Sequence, residues 1–221
     1  METKKSAQAT KLIATMGMLA AIAFVAKLIS TVFPTVAGFL SFDLKDVVIV
    51  IAGFLYGPLA AVILSVIVSF IEMVTVSTTG WIGLLMNVLA SCSFACVAAA
   101  FYRFRRNMVG AILGLVLGTL CMTAVMLLWN WLITPLYMKV DRSVVVGMLV
   151  PVFLPFNLVK GGINATLALL LYKPIVSALR KARLVPESSG GKRETKWGLV
   201  IVSLVLLATF VLLGLVLAGK L

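Results

Sequence analysis

The sequence predicts an all-α membrane protein, and three observations carry that reading: the share of apolar residues, their grouping into long runs, and the placing of basic residues between the runs. Hydrophobic residues make up 62% of the 221 and charged residues only 12%, far from the roughly 45–50% apolar share of soluble domains. Several runs reach the ~20 residues a helix needs to cross about 30 Å of hydrocarbon, and the alternation that a membrane barrel requires is missing. The net charge of +12 sits in short clusters between apolar runs, which is the pattern of membrane topology rather than of a nucleic-acid-binding face.

Seven helices are expected, at residues 12–32, 46–56, 58–76, 81–102, 108–133, 147–172 and 197–218. The first run follows Lys4, Lys5 and Lys11. It is too long for the core of a signal peptide and has no clear cleavage site, so it reads as a retained helix. The second and third helices would pass for a single span by hydropathy, but Gly57-Pro58 interrupts them, and proline cannot continue a helix without losing a hydrogen bond. Charge supports the split. With the N-terminus in the cytoplasm, two passes put Arg103, Arg105 and Arg106 inside, and later Arg180, Lys181, Arg183, Lys192, Arg193 and Lys196. A single pass would put the first cluster outside. This argument fixes the parity of the crossings and not their depth. Outer segments are then expected at residues 33–45, 77–80 and 134–146.

Three regions follow: a six-helix membrane domain at residues 1–184, a cytoplasmic linker at 185–196 carrying Pro186-Glu187-Ser188-Ser189-Gly190-Gly191, and an additional transmembrane helix at 197–221. That last helix is almost purely apolar, which suits anchoring or lipid-facing packing. No internal repeat is visible.

Absences narrow the chemistry. There is no histidine, which excludes His-dependent zinc sites and His-based triads. Cys92, Cys96 and Cys121 lie inside apolar runs and read as small buried residues rather than a disulfide or metal set. No Walker A string occurs, so ATP hydrolysis by that route is outside this chain. No catalytic residues and no metal ligands are expected.

Ionisable groups within a membrane are costly, and this points to Glu72 and Lys160. Lys27 lies nearer a helix end and is expected to snorkel. Glu72 reads as the one acid inside the spans, which leaves no chain of acids for a proton relay. Most of the remaining polar residues fall within roughly 10–15 Å of the outer boundary at 1.5 Å per residue: Asn87 in the fourth helix, Asn130 in the fifth, Asn157 and Lys160 in the sixth. Asn157, Lys160 and Asn164 share one helical face, either for hydrogen bonds between helices or for a ligand. Trp81, Trp129, Trp131 and Tyr137 fit an aromatic belt at the outer interface.

Three strings resemble a known family. They are Phe42-Asp43-Leu44-Lys45-Asp46 running into Gly53-Phe54-Leu55-Tyr56-Gly57-Pro58, then Ser77-Thr78-Thr79-Gly80-Trp81 with Met86-Asn87, then Pro155-Phe156-Asn157-Leu158-Val159-Lys160-Gly161. Together they resemble the substrate-binding S components of energy-coupling factor (ECF) vitamin transporters, riboflavin type, over residues 11–183. The resemblance implies a six-helix bundle with a vitamin pocket in its outer half, closed by the loop after the first helix. It implies as partners a transmembrane coupling subunit (EcfT) and two ATP-binding subunits (EcfA and EcfA'), which supply the energy. The ligand it implies is riboflavin, with its phosphorylated form FMN left open, and no bound cofactor. On this reading Asn130 and Asn157 face the pyrimidine edge of the flavin and Lys160 donates to a ring carbonyl. Glu72, Thr75, Thr78 and Thr79 suit the ribityl chain, with Asn87 nearby. Ala14, Gly17 and Ala21 form the small-residue face toward the coupling subunit, Gly17 standing where the family's pattern has alanine. The seventh helix departs from the six-helix pattern. An S component for another vitamin and a self-sufficient secondary transporter are the alternatives left open.

Overall fold

The structure, a computed structural model, describes residues 2–182, 184–185 and 197–220, with side chains described from residue 9 onward. In chain order it has α1 (Glu2–Ser30), α2 (Lys45–Tyr56), α3 (Pro58–Thr75), α4 (Gly80–Phe104), α5 (Met108–Leu132), α6 (Thr134–Met138), α7 (Arg142–Met148), a π-helical turn (Leu149–Phe153), α8 (Leu154–Lys181) and α9 (Trp197–Leu217). Among the described residues six stretches are long and apolar enough to cross a membrane: Ala9–Ser30, Pro58–Thr75, Gly80–Phe104, Met108–Leu132, Arg142–Lys181 and Trp197–Leu217.

α2 is the exception and the organising element. Its 12 residues measure about 18 Å, too short to cross alone. Nine consecutive residues, Lys45 to Gly53, are buried, and the unbroken apolar run Val47–Ala52 is what a helix surrounded on every side needs. α2 packs against α1, α3, α4 and α8. At Gly53 a methyl group would lie 2.9 Å from Ala99 Cβ and 3.3 Å from Ala61 Cβ, so a larger residue would push α2 off both neighbours. The reversal into α3 uses Gly57 at φ 96° with Pro58 in the first turn of α3, a pairing of left-handed glycine and N-terminal proline that suits a helix start.

Small residues set the other close crossings. A methyl at Gly114 or Gly118 of α5 would come within 2.7 or 2.4 Å of the Ala98 or Phe94 carbonyl oxygen of α4, and one at Gly161 of α8 within 2.4 Å of Thr119 Cγ2 of α5. α9 lies against α8, where the Phe210 ring covers Gly162.

Three sequence expectations are corrected. The segment at residues 33–45 is not wholly an outer loop. Its last part descends into the bundle, with Asp43, Lys45 and Asp46 buried. α2 therefore begins at mid-depth: Asp46 is hydrogen-bonded to Ser91, which stands near the middle of the 25-residue α4. The segment at 134–146 contains α6 and most of α7, and the sixth predicted helix continues beyond 172 to Lys181 with Pro174 inside it. The expected linker, apart from Val185, lies outside the described residues.

Candidate functional site

Four charged side chains meet between α1, α2 and α3. Lys27 of α1 lies 3.0 Å from Glu72 Oε1 and 3.6 Å from Asp43 Oδ2. Lys45, in the first turn of α2, lies 3.2 Å from Asp43 Oδ2 and also pairs with Glu72 Oε2. All four are buried. The approach is fixed locally: the Ser30 hydroxyl, itself donating to the Ala26 carbonyl, accepts the Leu44 N–H at 2.9 Å. This pins the loop's descending end to the end of α1, and the Lys45 N–H reaches Asp43 Oδ1. Two lysines and two carboxylates sum to zero charge, the condition under which ions can sit away from water.

A second pair of charges adjoins them. Asp46 accepts from Ser91 through one oxygen, while the other is buried without a hydrogen-bond partner among the described residues. Lys160 is half-buried on α8. Its charge acts on both Asp43 and Asp46, yet among the described residues its ammonium makes no ion pair. It is the one cation of the cluster with its donors uncommitted.

The polar residues proposed from sequence fall into distinct settings. Glu72 is inside the ion cluster, with both oxygens engaged by lysine. Asn157, one helical turn before Lys160, is buried and donates its amide N–H to the Phe153 carbonyl at 2.8 Å. Asn130 is buried, donates to the Met126 carbonyl and accepts from Thr134 at 2.8 Å. Asn87 is half-buried. Thr75 and Thr78 are exposed, and the Thr75 hydroxyl bonds the Ile71 carbonyl. Thr79 pairs with Ser77 at 2.9 Å and rests on Gly83, where a methyl would collide with its hydroxyl. Ala14, Gly17 and Ala21 are exposed, with open space around Gly17. The deeper Asn164 is buried with neither amide atom bonded among the described residues.

Sequence reasoning missed Asp43, Lys45 and Asp46 as interior charges and read Lys27 as a snorkelling residue. Glu72 is not the one interior acid, since Asp43 and Asp46 are equally buried. The signal was present in the charge-dense string 43–46, immediately before a run with no polar residue.

Over this site lies the loop at residues 31–44. Val36 and Phe42 are buried against Phe156, Val159 and Ile163 of α8, with Leu207 and Phe210 of α9 beside them, and the Phe42 and Phe156 rings are 5.2 Å apart. An apolar cavity of about 270 Å³ lies between this loop, α8 and α9, and its lining includes Phe33, Phe42, Ile163 and Leu207. None of the polar residues proposed from sequence lines it.

The description "ECF transporter, substrate-specific component" matches residues 11–172. The chain belongs to this family. The S component is accordingly a multi-pass membrane protein of a transport system, and α9 lies beyond the matched region. Similar proteins include the riboflavin transporter RibU of Staphylococcus aureus (strain TCH60), 30% identical over 184 residues that cover 80% of this chain and 97% of the relative. The riboflavin transporter FmnP of Bacillus subtilis (strain 168) is 28% identical over 186 residues, covering 79% and 98%. A solved S component of a bacterial ECF transporter aligns with a TM-score of 0.66 at 30% identity, covering 77% of this S component and 98% of that chain.

Proposed function

We propose that this S component binds riboflavin from the outer side of a bacterial cytoplasmic membrane and delivers it inward as the substrate-specific subunit of an ECF transporter. The observation that carries the reading is the match to riboflavin transporters across nearly their whole lengths. Within the matched region Lys160 has free donors and Asn157 is one turn away. A flavin presents ring carbonyls and an N–H along one edge of its pyrimidine ring. An uncommitted ammonium and a primary amide suit such an edge, since a charged donor makes the stronger hydrogen bond and the amide both donates and accepts. The neutral ion cluster below holds Asp43 and Glu72 in place, so that they act as a fixed electrostatic floor. The loop at 31–44 supplies the cover.

Energy comes from separate ATP-binding subunits (EcfA and EcfA') through a coupling subunit (EcfT). The exposed face of Ala14, Gly17 and Ala21 on α1 supports docking of that coupling subunit, because small residues let helices approach closely. The basic termini of α4 and α8 support a cytoplasmic N-terminus.

Titrating the purified chain with riboflavin, following quenching of flavin fluorescence, tests the ligand. Lys160→Ala and Asn157→Ala should each weaken binding by about 1–3 kcal/mol, roughly ten- to a hundredfold, with Lys160→Ala the more damaging. If the parent does not bind riboflavin, or both folded variants bind it as tightly as the parent, the assignment fails. Uptake of riboflavin into vesicles by this chain alone, driven by an ion gradient without ATP, would instead establish a secondary transporter.

A further inference from the structure

At the end of the bundle opposite the ion cluster lies a second cavity, of about 490 Å³, whose lining includes Phe54, Tyr56, Tyr102, Arg103, Arg106 and Arg180. Three arginines reach it from three places: the last turn of α4, the turn after it, and the last turn of α8. Among the described residues no carboxylate lines it, and none of the three makes an ion pair. The Nε of Arg180 and the hydroxyl of Tyr56 are buried without a hydrogen-bond partner among the described residues. The Phe54 and Tyr102 rings pack beneath at a tilt of 42°, their centres 4.6 Å apart.

Two ordinary explanations account for part of this. Basic residues mark the cytoplasmic side, and cations near helix C-termini interact favourably with the helix dipole. Neither explains why a guanidinium nitrogen and a phenol should both be withdrawn from water with no partner among the described residues, since such groups cost free energy unless satisfied. Nor does either require that the arginines converge on one cavity. Arginine's planar fork matches phosphate bidentately, and basic pockets between transmembrane helices on the cytoplasmic side accept phosphorylated headgroups. The volume falls within the ~300–1,000 Å³ of ordinary ligand sites.

We infer that this cavity is a phosphate-binding site, in which Arg180 and Arg103 hold a phosphate oxygen pair, Arg106 closes the rim and the Tyr56 hydroxyl donates to the same group. The phosphate comes from the headgroup of an anionic phospholipid of the facing leaflet or from a soluble phosphate compound. The site is independent of the flavin assignment, because it lies at the opposite end of α2.

The test uses the full-length chain, delipidated in neutral detergent. It is titrated separately with short-chain phosphatidylglycerol, short-chain phosphatidylcholine and inorganic phosphate, reading thermal unfolding and, by native mass spectrometry, bound lipid. A saturable rise in unfolding temperature with phosphatidylglycerol and none with inorganic phosphate identifies a lipid headgroup. A rise with both, competing for one site, identifies a phosphate site open to soluble ligands. In either case Arg180→Gln and Arg103→Gln should weaken the effect at least tenfold, and Tyr56→Phe, which removes only the hydroxyl, should weaken it to a smaller degree. Riboflavin titration of each variant reports that it is folded. The proposal is overturned if neither phosphate probe binds, if phosphatidylglycerol and phosphatidylcholine bind alike, or if binding survives both arginine substitutions. It is also overturned if the substitutions leave phosphate binding intact and abolish only co-purification with the coupling subunit, which would assign the arginines to an acidic protein surface.

Discussion

The two ends of α2 solve the problem of charge in opposite ways. At its start, Lys45 belongs to a buried group of two lysines and two carboxylates whose charges cancel, with buried Asp46 and half-buried Lys160 beside it. At its end, Tyr56 lines a cavity with three arginines and, among the described residues, no carboxylate. Burial explains the difference. An interior ion loses its hydration and must recover it from partners, whereas Arg103 and Arg106 are exposed and keep most of theirs. The compensated end is thus part of the fold, and the uncompensated end is available to something else.

The sharpest way to break this contrast is to remove one interior partner. Lys45→Met keeps the length of the side chain and leaves Asp43 and Glu72 with Lys27 alone, so unfolding in detergent should lose about 3–5 kcal/mol. Restoring neutrality with Glu72→Gln on the Lys45→Met background should recover part of that loss. A change below about 1 kcal/mol in the single variant would mean that the cluster is hydrated and belongs with the surface ion pairs. One step smaller, Ser91→Ala deprives buried Asp46 of the hydroxyl that donates to it and should cost about 1–3 kcal/mol, read in the same unfolding assay. At the other end, Arg103→Gln in phosphate-free detergent should change stability by no more than about 0.5 kcal/mol, as expected of an exposed position away from any paired group. A larger loss there would show that the arginines are structural.

How much of this was legible in the sequence depends on the range of the interactions. The six long helices and the break at Gly57-Pro58 follow from local hydropathy and from proline's missing N–H, and they stand. What could not be read was the depth of Lys45 and Asp46. Hydropathy places charged residues outside, and only the partner Glu72, 27 positions along, and Ser91, 45 along, draw them inward. Lys27 was misread for the same reason: its length allows snorkelling, and the acids that hold it inside come from the loop and from α3. In the candidate site, the facing of Asn157 and Lys160 on one helix was visible from their spacing. That Lys160 has free donors while Lys27 and Lys45 do not is a property of the packed bundle. The short helices α6 and α7 were missed because Pro135 and the charged string Lys139-Val140-Asp141-Arg142 mimic a loop, although each is compatible with a helix end. α9 was legible as a helix, but its contact with the loop at 31–44 depends on Gly162 and Gly214 making room for Phe210 and Phe42.

The smallest effect on the fold is expected at the exposed face of α1, and there the contrast between structure and availability is cleanest. Gly17 has no neighbouring atom within 4 Å of where a side chain would begin, and Ala14 and Ala21 are exposed beside it. Gly17→Leu should therefore leave unfolding unchanged within about 0.5 kcal/mol, and the replacement of glycine inside a helix by a better helix former works in its favour. Riboflavin affinity should also be unchanged, because the ion cluster and Lys160 lie elsewhere. Uptake energised by the ATP-binding subunits should nevertheless fall severalfold, since a leucine side chain keeps a partner helix from the close approach that small residues permit. The informative measurement is the pair of numbers, flavin binding by the purified variant and ATP-dependent uptake by the assembled complex. If both fall together, the face packs inside the bundle during the transport cycle. If neither falls, the coupling subunit docks on some other surface, and the basic end of the bundle becomes the first place to look for it.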